Sequence, residues 1–189
     1  TPKVNSALNL NYKVGKVNFY TNYGFNHGIN TNNGYTDSFR PTFENEQDFK
    51  FRNKNTSHLI KLGMDYYIND RNTISFYTNQ NIVDGSGNGL TIVNYLDPLQ
   101  RDSRQFFDSR TDNKTQTYDF VYKHDFAKKG ETIDFQTNFS NTKGFENTDY
   151  DLDVINPVSS TETLNDIDRV TNSLQINIDY VNPLSETLK

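Results

Sequence analysis

The residues of this chain that could do chemistry are spread thinly along it. His27, His58 and His124 lie on three separate segments, without the short spacing that places two ligands on one metal ion. The run DGSGNG at 84–89 has the glycines and first acid of a calcium loop but lacks the acidic residue that would complete an EF-hand. A second acidic run lies at 149–153. We expect solvated segments at both runs and no metal site.

Enzyme chemistry finds no support in the sequence. There is no GxSxG, no phosphate-binding loop and no GxGxxG motif, and without cysteine there is neither a thiolate ligand nor a cysteine nucleophile. The formal net charge of -5 and the pI of about 5.1 argue against a nucleic-acid-binding protein, which would carry a basic stripe. We therefore expect a chain that is not an enzyme and that takes no cofactor.

The composition indicates buried rings without continuous apolar segments. Only 33% of the 189 residues are hydrophobic and the mean hydropathy is -0.85, yet 14% are aromatic, which is unlike a disordered chain. No stretch approaches the ~18 apolar residues of a membrane helix. Asn and Thr are abundant, which favours an all-β chain with polar connections.

Strict period-two alternation occurs in seven segments and predicts seven strands, each with one apolar and one polar face. Their apolar positions begin with Leu8, Val17, Ile60, Ile74, Tyr118, Ile133 and Leu174, and an eighth strand is expected to begin at 187–189. The connections alternate in length. Short turns are predicted at 14–16, 69–72, 127–130 and 182–186, and long connections at 26–55, 83–113 and 141–168.

This pattern is typical of an antiparallel up-and-down transmembrane β-barrel, in which short turns lie on one side of the membrane and long loops on the other. Aromatic residues of the apolar face nearest the short turns would then form an interfacial girdle against lipid. These are Tyr12, Tyr66, Phe126 and Tyr180. A soluble β-domain would alternate in the same way, but long structureless loops are uncommon in compact domains.

Three stretches resemble the barrel hairpins of Bacteroidota outer-membrane proteins of the TonB-dependent-receptor type. They run over 62–81 (LGMDYYINDRNTISFYTNQN), 118–140 and 174–189, with the phrases YKHDFAKKG at 122–130 and DYVNPLSETL at 179–188. The resemblance implies a barrel of about 22 strands with a plug domain, energised by TonB. We accordingly expect residues 1–189 to be one partial barrel domain of about 7–8 strands, without the signal peptide or plug.

The function expected from these features is to form the wall and external loops of an outer-membrane importer of a siderophore, peptide or glycan in a Gram-negative bacterium. Its partners would be outer-membrane lipid, the rest of its own barrel and plug, TonB and a surface lipoprotein. The alternatives are a non-transporting barrel (adhesin, scaffold or part of an outer-membrane machine) and a soluble β-domain.

The long connections carry rings and arginines, which are good ligand anchors but could equally hold loops together or extend the strands above the membrane. The candidates for ligand contact are Tyr35, Phe39, Arg40, Phe43, Phe49, Phe51, Tyr95, Arg101, Arg104, Phe106, Phe107, Phe145 and Tyr150.

Overall fold

The alternating segments form seven β-strands, which pair in chain order into one antiparallel up-and-down sheet. The computed structural model describes residues 2–40, 43–97, 99–155 and 158–184. The strands are β1 (Lys3–Val14), β2 (Val17–Arg40), β3 (Phe43–Asn69), β4 (Asn72–Tyr95), β5 (Ser103–Asp125), β6 (Thr132–Val154) and β7 (Ser159–Val181). The all-β prediction and the seven strands are confirmed; the eighth strand predicted at 187–189 lies outside the described residues.

The prediction of three long connections is wrong, because those residues extend the strands. β2 and β3 pair without a break, from the pair of Val17 with Tyr66 to the pair of Arg40 with Phe43. The predicted connection at 26–55 is therefore strand, apart from the two residues between β2 and β3. At about 3.3 Å per residue, the 27 residues of β3 span about 90 Å. A tilted strand needs only ~9–11 residues to cross a bilayer, so each of β2–β7 is more than twice that length.

Short turns join the strands at one end of the sheet, as predicted. Gly15 and Gly130 adopt positive φ values of 55° and 81°, a backbone conformation that glycine accepts without steric cost. In the turn between β3 and β4, the side-chain oxygen of Asn69 accepts hydrogen bonds from the backbone of Arg71 at 3.0 Å and the amide of Asn72 at 2.8 Å. The predicted turn at 182–186 is described only as far as residue 184.

The ends of β3, β4 and β5 are staggered in one direction. Tyr95, the last residue of β4, pairs with Asn45, which is two residues after the start of β3. Ser103, the first residue of β5, pairs with Val93, which is two residues before the end of β4. The ends of β5, β6 and β7 are level, because Ser103 pairs with Val154 and Val154 pairs with Ser159.

No hydrophobic side chain is buried among the described residues. Leu10, Leu62 and Leu174 on three different strands are 57%, 50% and 67% exposed. A single sheet offers no second layer for its apolar face, so the partner of that face must come from outside these seven strands. The described residues include no helix with the length and apolarity needed to cross a membrane.

Candidate functional site

The sheet has two distinct faces, named here the Leu62 face and the Lys61 face after neighbouring residues of β3. Because directly paired residues share a face, the strand register places the predicted apolar positions of all seven strands on the Leu62 face. One row across the sheet consists of Leu10, Thr21, Leu62, Thr78, Tyr118, Phe139 and Leu174. The apolar positions of the seven strands on this face are named here the apolar band. Their side chains are exposed or half-buried.

The four residues predicted to form a girdle all lie on the Leu62 face near the short turns. The rings of Phe126 and Tyr180 contact each other edge to face, with centroids 6.1 Å apart, and His124 stacks edge-on against Phe126 at 4.5 Å. Tyr12 and Tyr66 lie further along the sheet, opposite Phe19 and Val17 of β2.

The Lys61 face is polar beside the apolar band. The Lys61 ammonium lies 4.8 Å from the ring centroid of Tyr77 and 5.8 Å from that of Tyr20, so two rings share one cation. Asp65 accepts hydrogen bonds from Ser75 at 2.7 Å and from Asn18 at 3.4 Å. The register puts six charged residues on this face, which are Lys61, Asp65, Asp119, Lys123, Asp134 and Asp179.

The three histidines each contact a neighbouring polar side chain on the sheet. A ring nitrogen lies 2.9 Å from Thr56 Oγ1 for His27, 2.9 Å from Tyr23 Oη for His58 and 2.8 Å from Asn72 Oδ1 for His124. The runs at 84–89 and 149–153 are strand, in β4 and β6. Within the described ranges, no group of three or more His, Asp or Glu residues could hold a metal ion.

Beyond the apolar band, the sheet continues as a block of six paired segments, named here the extension. The segments are 29–36, 47–54, 86–93, 103–110, 147–154 and 159–166. Of the 24 positions on each face of the extension, the Leu62 face carries twelve charged residues and the Lys61 face none. The charged residues are Asp48, Lys50, Arg52, Lys54, Arg104, Asp108, Arg110, Asp149, Asp151, Asp153, Glu162 and Asp166.

A stripe of rings crosses the Lys61 face of the extension. The ring centroids of Phe51 and Phe107 lie 5.5 Å apart, those of Phe107 and Tyr150 6.4 Å, and those of Phe49 and Phe51 5.2 Å. Phe51 and Phe107 both lean over Gly89, where an added Cβ would lie 2.4 Å from each ring. These four aromatic residues are named here the ring stripe.

The predicted ligand-contact residues are divided between the two faces. Phe49, Phe51, Tyr95, Phe107 and Tyr150 belong to the Lys61 face. Tyr35, Phe39, Arg104, Phe106 and Phe145 belong to the Leu62 face, and Arg40 ends β2. Arg101 lies in the connection between β4 and β5, and Phe43 begins β3 with a side chain outside the described residues.

The sequence did not single out the glycines beneath the rings. Gly34 lies under Phe49, whose ring would be 2.8 Å from an added Cβ, and Gly63 lies under Tyr20 in the same way. Glycine in a strand often marks the close approach of another group. The glycines of the run at 84–89 were such a signal, but the sequence analysis compared that run with a calcium-binding loop.

No protein-family model and no curated protein matches the chain. The solved structures similar to it include the ferric-catecholate import receptor Fiu from K12 E. coli, with a TM-score of 0.20 and 9% identity over 93% of this chain and 46% of that one. The outer membrane transporter YddB from Escherichia coli has a TM-score of 0.17 and 8% identity, over 86% of this chain and 32% of that one. Pseudomonas aeruginosa OccK8 (OprE) has a TM-score of 0.14 and 9% identity, over 95% and 93%. The chain thus spans less than half the length of the first two, and the fold assignment rests on strand pairing alone.

Proposed function

We propose that this chain forms part of the wall of an outer-membrane β-barrel, with the Leu62 face against lipid and the Lys61 face towards the interior. One observation carries the proposal: an exposed apolar band crosses all seven strands, while no hydrophobic side chain of the described residues is buried. Burial of apolar surface stabilises a protein by about 25 cal/mol for each Å², and the band would lose this stabilisation if it faced water. The hydrocarbon of a bilayer gives the band an apolar environment.

The dimensions of the band support this orientation. On β3 the apolar side chains run from Ile60 to Ile68, nine residues, which matches the ~9–11 residues of a tilted transmembrane strand. In the row of Ile60, at the upper end of the band on the same face, Gln116 donates to Gln80 at 2.6 Å and Asn141 to Asn172 at 2.6 Å. This row of amides is polar enough for the membrane boundary, and the charged side of the extension then lies in water.

We further propose that the barrel imports a bulky solute with energy from TonB. Support comes from the resemblance of the hairpin stretches at 62–81, 118–140 and 174–189 to those of TonB-dependent-receptor-like proteins. The long strands add to it, because the extension would raise a tall interior surface above the membrane that a solute meets before entering. The plug, TonB and a surface lipoprotein would be partners of the whole protein.

Cysteine labelling tests the orientation, since the chain has no cysteine of its own. Met64→Cys and Asp65→Cys form a matched pair of neighbours on opposite faces of β3. In the full-length protein in native outer membranes, we expect the Met64→Cys variant to react with a lipid-soluble maleimide and the Asp65→Cys variant to react with a charged one. Equal reaction of both variants with the charged reagent would overturn the proposal.

A further inference from the structure

The two faces of the extension differ in the ligands that they could accept. Half of the positions on the Leu62 face are charged, whereas the Lys61 face has no charge at any of its 24 positions. If the Lys61 face lines the interior of a barrel, the interior surface at the level of the extension would therefore offer no counter-charge to an ionic ligand. A ligand with desolvated charges would meet no partner there.

The ring stripe gives this uncharged surface flat apolar patches. Phe51, Phe107 and Tyr150 come from β3, β5 and β6 and lie in one row of the register, with Gly89 of β4 between the first two. All three rings are half-buried rather than enclosed, so part of each ring remains accessible. A row of accessible rings on neighbouring strands forms an extended surface rather than a closed pocket.

Neutral hydrogen-bonding groups surround the rings. In the rows above and below them lie Asn53, Gln105 and Ser109, and Thr163 pairs directly with Tyr150. Amides and hydroxyls both donate and accept, so they suit a ligand that does the same.

We propose that the Lys61 face of the extension binds an uncharged glycan. A sugar ring has a C–H face that packs on an aromatic ring and a rim of hydroxyls that match amide and hydroxyl side chains, and it has no charge to desolvate. This inference rests on the proposed function, because the ring stripe lines an interior only if the sheet belongs to a barrel. It selects the glycan over a siderophore or a peptide as the solute class.

Calorimetric titration of the full-length protein in detergent tests the proposal. The probes are maltohexaose, cellohexaose and mannohexaose, with hexagalacturonate as a charged sugar of equal length. We expect at least one neutral hexasaccharide to bind and hexagalacturonate to bind more weakly. Phe107→Ala should weaken binding of the neutral sugar about fivefold to tenfold, and Leu164→Ala, which removes an exposed apolar side chain from the opposite face, should leave it unchanged.

A second variant keeps the test decisive if Phe107→Ala does not fold. Gln105→Asp adds one charge to the uncharged face without removing a ring, and we expect it to weaken binding as well. The proposal is overturned if no neutral hexasaccharide binds, if hexagalacturonate binds best, or if the Leu164 and Phe107 variants behave alike. The labelling experiment separates this inference from the proposed function. If the Met64→Cys and Asp65→Cys variants react with the lipid-soluble and the charged maleimide as expected but no neutral sugar binds, the barrel orientation stands and only the glycan is rejected.

Discussion

The rings of Phe51 and Phe107 lie 5.5 Å apart although β3 and β5 are not neighbouring strands. Gly89 of β4, which pairs with both residues, has no side chain and leaves the space that the two rings fill. The rings in turn cover a stretch of backbone that glycine would otherwise expose, an arrangement known to support strands that contain glycine. The contact between the two rings therefore depends on a residue that makes no side-chain contact itself.

Gly89→Ala should destabilise the sheet more than Gly85→Ala. At Gly89 an added Cβ would lie 2.4 Å from both rings, so one ring must leave its position, and overpacking of this kind costs about 1–3 kcal/mol. At Gly85 the nearest atom, Thr111 Cβ, would be 3.6 Å away, an ordinary contact. The measurement is the urea midpoint at which the protein loses its folded mobility on an unheated gel; equal midpoints for the two variants would contradict the contact.

The sequence predicted the half of each strand that carries the apolar band. Ile60, Leu62, Met64 and Tyr66 alternate with polar residues, and this period of two is typical of a strand with one apolar face. The extension lacks that contrast, since aliphatic residues lie on both of its faces, Leu90 and Leu164 on the Leu62 face and Val93 and Leu152 on the Lys61 face. Its alternation is between charged and uncharged residues, as in Lys50, Phe51 and Arg52, and a search for apolar periodicity does not detect it.

The ring stripe lay beyond sequence reasoning for a different reason. Phe51 and Phe107 are 56 residues apart (107−51), and only the register of two hairpins brings them to the same row. A shift of one residue in either register would place one ring on the charged face. The long strands hold that register over more than twenty consecutive pairs between β3 and β4.

Met64→Arg should impair folding into membranes far more than Gln136→Arg. Met64 lies in the middle of the apolar band on β3, where an arginine facing lipid costs about 2–4 kcal/mol. Gln136 is exposed on the Lys61 face one row from Met64, so the same charge would meet the polar interior at nearly the same depth. The folded fraction after insertion into lipid vesicles, read from heat-modifiable mobility, gives the comparison. An equal loss in the two variants would be incompatible with lipid on the Leu62 face.

Gly15→Ala should lower stability by about 1 kcal/mol, and Gly15→Asn should lower it less. The cause is backbone conformation rather than crowding, because φ is 55° and an added Cβ would have nothing within 4 Å. Among residues other than glycine, Asn tolerates the left-handed region best. The urea midpoints of the two variants test this order, and a midpoint for Gly15→Ala equal to that of the unchanged protein would show that the turn adopts another conformation.

The edge strand β7 should be fully protected from hydrogen exchange in the membrane-embedded protein. Within the seven strands β7 pairs only with β6, and because antiparallel residues direct their N–H groups alternately to either side, about half of its amides point away from the sheet. In lipid each unpaired amide costs several kcal/mol, so a barrel strand beyond β7 must accept those hydrogen bonds. We therefore expect slow exchange at nearly all amides of a peptide over 172–181, measured by mass spectrometry on the full-length protein in native membranes. The turn amides of 127–130 serve as the rapidly exchanging control. Rapid exchange of half of the amides in 172–181 would mean that β7 is a free edge and that the barrel does not continue past it.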